Sequence, residues 1–192
     1  MRGHFWGVLT AALVIALSPC AEAQIDLNPL SPYYKNIPRA VKANDVGKVR
    51  QLLSDGASPN QTDEDGATTG MHIAASTGNL QIMAILYKAG ADINVRDNVG
   101  DSPLDLAAEH RQLEAVKLLL EMKARVNDQD KNGMTALMFA AKVGDTEMVR
   151  YMLEAGANPS LSDYTGRDAA GWAQESRRPL VVEMLKNAQS KH

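Results

Sequence analysis

A chain of 192 residues with 45% apolar content is long enough for one ordinary domain and too apolar for wholesale disorder. Its formal net charge is −3, and neither sign gathers into a long block. That excludes the basic footprint of a nucleic-acid binder and the polybasic stretch of a membrane-surface protein.

The first element is an export signal. Arg2 supplies a positive n-region, and Phe5 to Leu17 is an apolar run of 13 residues. Ser18-Pro19 breaks the run, and Ala21-Glu22-Ala23 forms an A-x-A cleavage site before Gln24. The run is short of the roughly 20 residues that span a membrane. The reading adopted is a cleaved signal over residues 1–23. A retained anchor is one alternative. Lipidation at Cys20 is another, because Leu17-Ser18-Pro19-Cys20 approaches a lipobox, although the proline fits that motif poorly. Cys20 is the sole cysteine, so cleavage leaves a mature chain with no thiol, no disulfide and no thiolate metal site. Residues 24–36 carry Pro29, Pro32 and Asn36, which favour an extended lead-in. Tyr33 and Tyr34 either cover the first packed unit or form a binding arm.

From there the chain repeats. Gly90-Ala91-Asp92-Ile93-Asn94 recurs 33 residues on as Lys123-Ala124-Arg125-Val126-Asn127, and again as Gly156-Ala157-Asn158-Pro159-Ser160. Gly56-Ala57-Ser58-Pro59-Asn60 precedes it by 34. Ala74, Ala107, Ala140 and Ala173 keep the 33-residue beat, with Ala40 lying 34 before Ala74. Superimposed, the units give two apolar columns: Val49, Met83, Val116, Val149, Val182, and Leu52, Leu86, Leu119, Met152, Leu185. Leu113, Val116, Leu119 and Leu120 show the three- and four-residue spacing of one helix face. Two short helices, a glycine and a polar turn make up each unit. Such a unit cannot bury its own apolar face, so the units must stack. Pro103 suits a first helical turn, and Gly78 and Gly144 suit a C-cap at positive φ. Asn44 tolerates that conformation, while Arg111 and Arg177 at the same beat should strain it.

These residues resemble the ankyrin repeat. The family's turn D-x-x-G appears as Asp97-Asn98-Val99-Gly100. Its T-P-L-H-x-A-A appears as Ser102-Pro103-Leu104-Asp105-Leu106-Ala107-Ala108, with looser copies at Thr69–Ala75 and Thr135–Ala141. Pro103 alone keeps the proline and His72 alone keeps the histidine. The resemblance implies an all-α ankyrin-repeat solenoid of stacked helix-turn-helix units with short hairpin-like turns, four to five repeats including caps. Residues 37–62 then form an N-terminal capping repeat. Residues 63–96, 97–129 and 130–162 form three ankyrin repeats, and 163–192 a C-terminal capping repeat. The chain resembles small exported bacterial members of the family, and with the signal this implies a mature chain in the periplasm or outside the cell.

No chemistry stands out. Asp128-Gln129-Asp130-Lys131-Asn132-Gly133 has the opening spacing of a calcium loop, yet position twelve must be a bidentate Glu and is Phe139. The repeat already explains Asp130 and Gly133 as turn residues. His72 matches the family position that hydrogen-bonds neighbouring turns, and around His110 a zinc site has too few ligands. Neither a Ser-His-Asp set nor a phosphate-cradling glycine loop occurs. The expectation is therefore no enzyme activity, no cofactor, no metal and no catalytic residue.

The resemblance implies a concave face built from turn tips and the outer part of each first helix. In this chain those positions are Asn98, Val99, Asp101, Glu109 and His110, then Lys131, Asn132, Met134, Lys142 and Val143, then Tyr164 and Arg167. Val99, Met134, Val143 and Tyr164 are apolar or aromatic at positions expected to face water. Glu109, Lys142 and Glu175 share one beat and are expected to form a row alternating in sign. The functional expectation is an exported, monomeric module that docks a protein partner on this face, with no nucleic acid and no membrane after signal cleavage. The alternatives are an effector secreted onward into a host and an immunity protein that neutralises a toxin.

Overall fold

The computed structural model describes residues 36–190. The signal and most of the lead-in, including Cys20, Tyr33 and Tyr34, lie outside the described residues. Ten helices follow in five pairs. The first pair is α1 (Ile37–Lys42) and α2 (Val46–Ser54), and the second is α3 (Gly70–Thr77) and α4 (Leu80–Lys88). Next come α5 (Pro103–Glu109) with α6 (Leu113–Glu121), and α7 (Ala136–Val143) with α8 (Thr146–Glu154). The last pair is α9 (Ala169–Glu175) and α10 (Pro179–Gln189). Strand structure among the described residues is confined to two isolated bridges, Thr62 with Thr69 and Ser162 with Asp168.

Local chemistry starts and stops the helices. Asn36, Asp45, Asn79, Ser102, Thr135, Asp145 and Asp168 are N-caps whose side chains accept a first-turn N–H. Each such cap stabilises its helix by about 1 kcal/mol. Pro38, Pro103 and Pro179 sit in first turns, where a missing N–H costs nothing. The first helices end in the left-handed region. Gly78 and Gly144 reach φ 71° and 83° there, and Asn44, Arg111 and Arg177 adopt φ 55°, 60° and 56°. The strain expected at both arginines is present. Lys123, at φ 71° on the beat of Gly90 and Gly156, adds one the sequence comparison passed over.

Packing runs between neighbours. α1, α3, α5, α7 and α9 stack each on the next, and the second helices do the same behind them. Ala74, Ala107, Ala140 and Ala173 are 0% exposed, so a methyl group is all that separates successive first helices along this line. Both apolar columns are buried from Val49 to Val149 and from Leu52 to Leu185. Val182 is only half-buried, because no further pair packs on α10 among the described residues.

Asparagine ties the ends of units together. The carboxamide oxygen of Asn60 accepts from Asp92 N, that of Asn94 from Arg125 N, and that of Asn127 from Asn158 N. Two longer side chains act likewise on the other edge. Arg96 donates to the carbonyls of Gly100 and Gln129, and Gln129 donates to those of Gly133 and Ser162. Each spans its own turn and the next.

Two outcomes follow. Leu119→Ala should lower the unfolding free energy by about 2–5 kcal/mol, because Leu119 is 0% exposed between neighbouring helices. Arg111→Gly should raise it by about 1 kcal/mol by relieving a left-handed residue. Urea titration followed by circular dichroism checks both.

Candidate functional site

The turn tips of the last three units are each built on one aspartate, whereas Asp63 Oδ1 in the second unit has no partner among the described residues. Asp97 Oδ1 accepts from the N–H groups of Val99 and Asp101, at 2.9 Å each. Asp130 Oδ1 holds Asn132 and Met134, and Asp163 Oδ1 holds Thr165 and Arg167. Successive tips then join through the backbone, Lys131 N to Val99 O at 3.3 Å and Tyr164 N to Asn132 O at 3.0 Å. Glycine is needed for that approach. A Cβ on Gly133, which has φ +81°, would lie 2.8 Å from Tyr164 N.

Most of the expected site residues lie on this rim. Asn98, Glu109, His110, Lys131, Asn132 and Lys142 are exposed. Val99 is 53% and Tyr164 75% exposed, and Val143 and Arg167 are half-buried. Lys131 Nζ donates to Asn98 O at 2.8 Å, and His110 Nδ1 lies 2.9 Å from Leu106 O. Two positions depart from expectation. Asp101 and Met134 are only 8% and 7% exposed, so neither offers a free side chain to water. Both follow the turn glycine, and the turn aspartate fixes their N–H groups in the direction that sends the side chain inward. Arg167 occupies the same slot in the fifth unit and stays half-exposed because no turn stacks beyond it among the described residues.

The row Glu109, Lys142, Glu175 is not joined by ion pairs among the described residues. Lys142 Nζ instead sits 5.1 Å from the centre of the Trp172 ring, and Arg167 Cζ sits 4.3 Å from it. Glu175 pairs with Arg167 at 2.6 Å. Trp172 Nε1 donates to Asp163 Oδ2 at 3.0 Å, which fixes the ring against the turn. Burial pulls the Asp163 carboxyl upward, yet hydrogen bonds from Thr165, the Arg167 backbone and Trp172 outweigh it and hold the carboxyl below its ordinary value. Trp172 is half-buried and lies against two cations. Sequence comparison missed it because Ile73, Leu106 and Phe139 share its beat and read as core. The available signal was a polar-edged ring at the end of an apolar column.

At the centre of the face lies a group of carboxylates. His72 Nδ1 accepts from Thr69 N at 3.2 Å, so its proton resides on Nε2, which donates to Asp101 O at 3.1 Å. Burial holds this imidazole below its usual value. Asp105 takes the place of that histidine in the next unit and accepts from Ser102 N at 2.8 Å and Ser102 Oγ at 2.6 Å. Burial pushes Asp105 up to about 6. Burial, then the charges of Asp105, Asp97, Asp130 and Glu109, pushes Asp101 up to about 7. Asp128 and Asp130 are otherwise engaged than in a calcium loop. Asp128 pairs with Arg96 and Arg125 at 3.1 and 2.9 Å, and Asp130 spends its Oδ1 on two backbone N–H groups. No cluster of three metal-binding side chains forms among the described residues.

Stacked helix pairs joined by aspartate-anchored turns define a helical-repeat scaffold with one continuous rim. The model of the ankyrin-repeat family, in three copies, matches residues 38–130 and 122–192. The chain belongs to the ankyrin-repeat family. It is similar to human cyclin-dependent kinase 4 inhibitor B, at 36% identity over 107 residues, covering 53% of this chain and 75% of the relative. It is also similar to an ankyrin repeat-containing protein of Schizosaccharomyces pombe, at 45% over 56 residues. A cyclin-dependent kinase inhibitor 2A of Monodelphis domestica matches at 41% over 71 residues. The match spans only 27% and 42% of the length of these last two proteins.

The pH response of Asp101 has a definite sign. Its folded pKa lies above the unfolded value, so folding takes up a proton between about pH 4 and pH 7, and stability falls as pH rises through that window. Asp101→Asn should leave stability near pH 4 almost unchanged and raise it at pH 8 by roughly 2–4 kcal/mol. Denaturation midpoints of both proteins across that range check this, and taking their difference removes the opposite contribution of His72.

Proposed function

We propose that this chain is an exported, non-catalytic docking module whose concave rim holds a partner protein. The observation that carries the reading is the patch of Trp172, Arg167, Lys142 and Tyr164 in the last two units. Tryptophan, tyrosine and arginine are the residues that concentrate binding energy in protein interfaces. Here the ring is already fixed by its bond to Asp163 and by two stacked cations, so little conformational freedom is lost on docking. The rigid turn array extends the surface through Asn132, Lys131, Asn98 and Val99. A relative named as an inhibitor of cyclin-dependent kinase 4 supports a binding role. Inhibition of a target, a toxin among them, is one form that role takes.

Export rests on the pattern of residues 1–23 and on the A-x-A site before Gln24. No helix among the described residues is long and apolar enough to cross a membrane. After cleavage the module works as a monomer in the periplasm or outside the cell.

Met134 is buried, so a charge there would unfold the turn and test nothing. Val99→Asp with Tyr164→Asp keeps the exposed turn tips soluble and should abolish capture of the partner from extracellular or periplasmic extract while leaving the helical circular dichroism unchanged. Trp172→Ala should weaken the complex by at least about 2 kcal/mol, roughly thirtyfold. Tyr87→Asp, on the outer helix α4 where Tyr87 is 44% exposed, should have no effect. Loss with Tyr87→Asp alone moves the site to the outer face. Mass spectrometry of the mature protein should give Gln24 as its first residue, and an intact Met1 removes the cleaved-signal reading.

A further inference from the structure

The carboxylates at the middle of the rim lack a cation of their own. Asp97, Asp101, Asp105, Glu109 and Asp130 come from one turn, its first helix and the next turn, and no ion pair reaches any of them among the described residues. Against the larger effect of burial the charge of Arg96 lowers Asp105, but the nearest cations in sequence spend their bonds elsewhere. Arg96 bonds the carbonyls of Gly100 and Gln129 and pairs with Asp128, and Lys131 Nζ bonds Asn98 O. His72, on the helix packed against this turn, faces Asp101 as a neutral donor to its carbonyl and offers its carboxylate nothing.

A second observation is independent of the charge count. Asp101 is 8% exposed, and its Oδ1 is buried without any hydrogen-bond partner. A buried, unpaired carboxylate oxygen is costly. The turn does not require it, since the same slot holds Met134 in the next unit and Arg167 in the one after. The other turn carboxylates each have at least one oxygen engaged: Asp97 by two backbone N–H groups, Asp105 by Ser102 and Asp130 by two more. Within this group Asp101 alone has a buried oxygen with no partner among the described residues, and the charge of the exposed Glu109 acts on it.

We propose that the docked partner inserts an arginine or lysine side chain at the centre of the rim, where Glu109 meets its charge first and the Asp101 carboxylate, swung out from its enclosed position, accepts its terminal N–H. This names the partner's chemistry at the site and rests on the docking reading above. Charge complementarity selects the occupant: a buried acceptor with four further carboxylates around it fits a cation on a long apolar stem. An arginine spanning Asp101 and Glu109 supplies the donors that the fold leaves out. Its charge favours the ionised carboxylate, so docking expels a proton from Asp101. Complex formation therefore tightens as pH rises through about 6 to 8, by about tenfold.

The test uses the mature chain and a blocked glycine peptide centred on arginine, with the same peptide carrying neutral citrulline as control. The readout is the Asp101 carboxyl carbon followed by NMR through a pH titration. At millimolar peptide the arginine form should lower the Asp101 midpoint, citrulline should leave it in place, and Asp101→Asn should lose the amide shift changes at Asp101 and Ser102. Equal effects of both peptides overturn the proposal. So does an equal lowering by calcium chloride alone, which would make this a divalent-cation site. With the captured partner, Asp101→Asn should weaken binding about tenfold at pH 8 and flatten its pH dependence. A partner lost by the Val99→Asp, Tyr164→Asp variant but indifferent to Asp101→Asn sinks the inserted cation and spares the docking face. A partner indifferent to both sinks the docking face itself.

Discussion

Successive first helices can lie this close only because alanine is what separates them. Ala74, Ala107, Ala140 and Ala173 are wholly enclosed, and a larger side chain at any of them would hold two units apart. Everything else is set by that approach. It brings neighbouring turns within backbone hydrogen-bonding distance, so Lys131 and Tyr164 reach the carbonyls of the tips before them. It also lets Asn60, Asn94 and Asn127 bridge units with a side chain only two carbons long. The rim is rigid because the spine behind it is narrow.

The fold was readable from the sequence because it is periodic. A 33-residue beat fixes which alanines, leucines and glycines coincide, and stacking is the sole means of burying faces that recur at that interval. Even the strained arginines were legible, since Arg111 and Arg177 stand where other units place glycine or asparagine. The face was less legible. Periodicity gives a residue's slot, but the aspartate clamp of the turn decides whether that slot opens outward. Asp101 and Met134 read as surface residues by position and are turned inward by bonds to Asp97 and Asp130. Trp172 erred in the opposite direction: it shares a beat with Ile73 and Phe139, which are buried, but lies in the last unit, where no turn follows to cover it.

Departures from the repeat are where this chain differs from a generic scaffold. The slot that holds His72 becomes Asp105, then Met138, then Gly171, so the imidazole bridge to a following turn is made once, to Asp101. Beyond it the rim changes character, from carboxylates around the third unit to Lys142, Arg167 and an aromatic pair at the far end. A surface so divided in sign favours one orientation of whatever lies along it, because reversal would set like charges together.

The neighbour-only stacking has a mechanical side as well. Each helix pair leans on its neighbouring pairs, and among the described residues no segment returns to clasp distant parts together. Tension applied at the two termini would therefore be borne in series, like links in a chain. The array would shed its pairs one at a time from an end, with a force trace of small, evenly spaced steps in place of a single rupture.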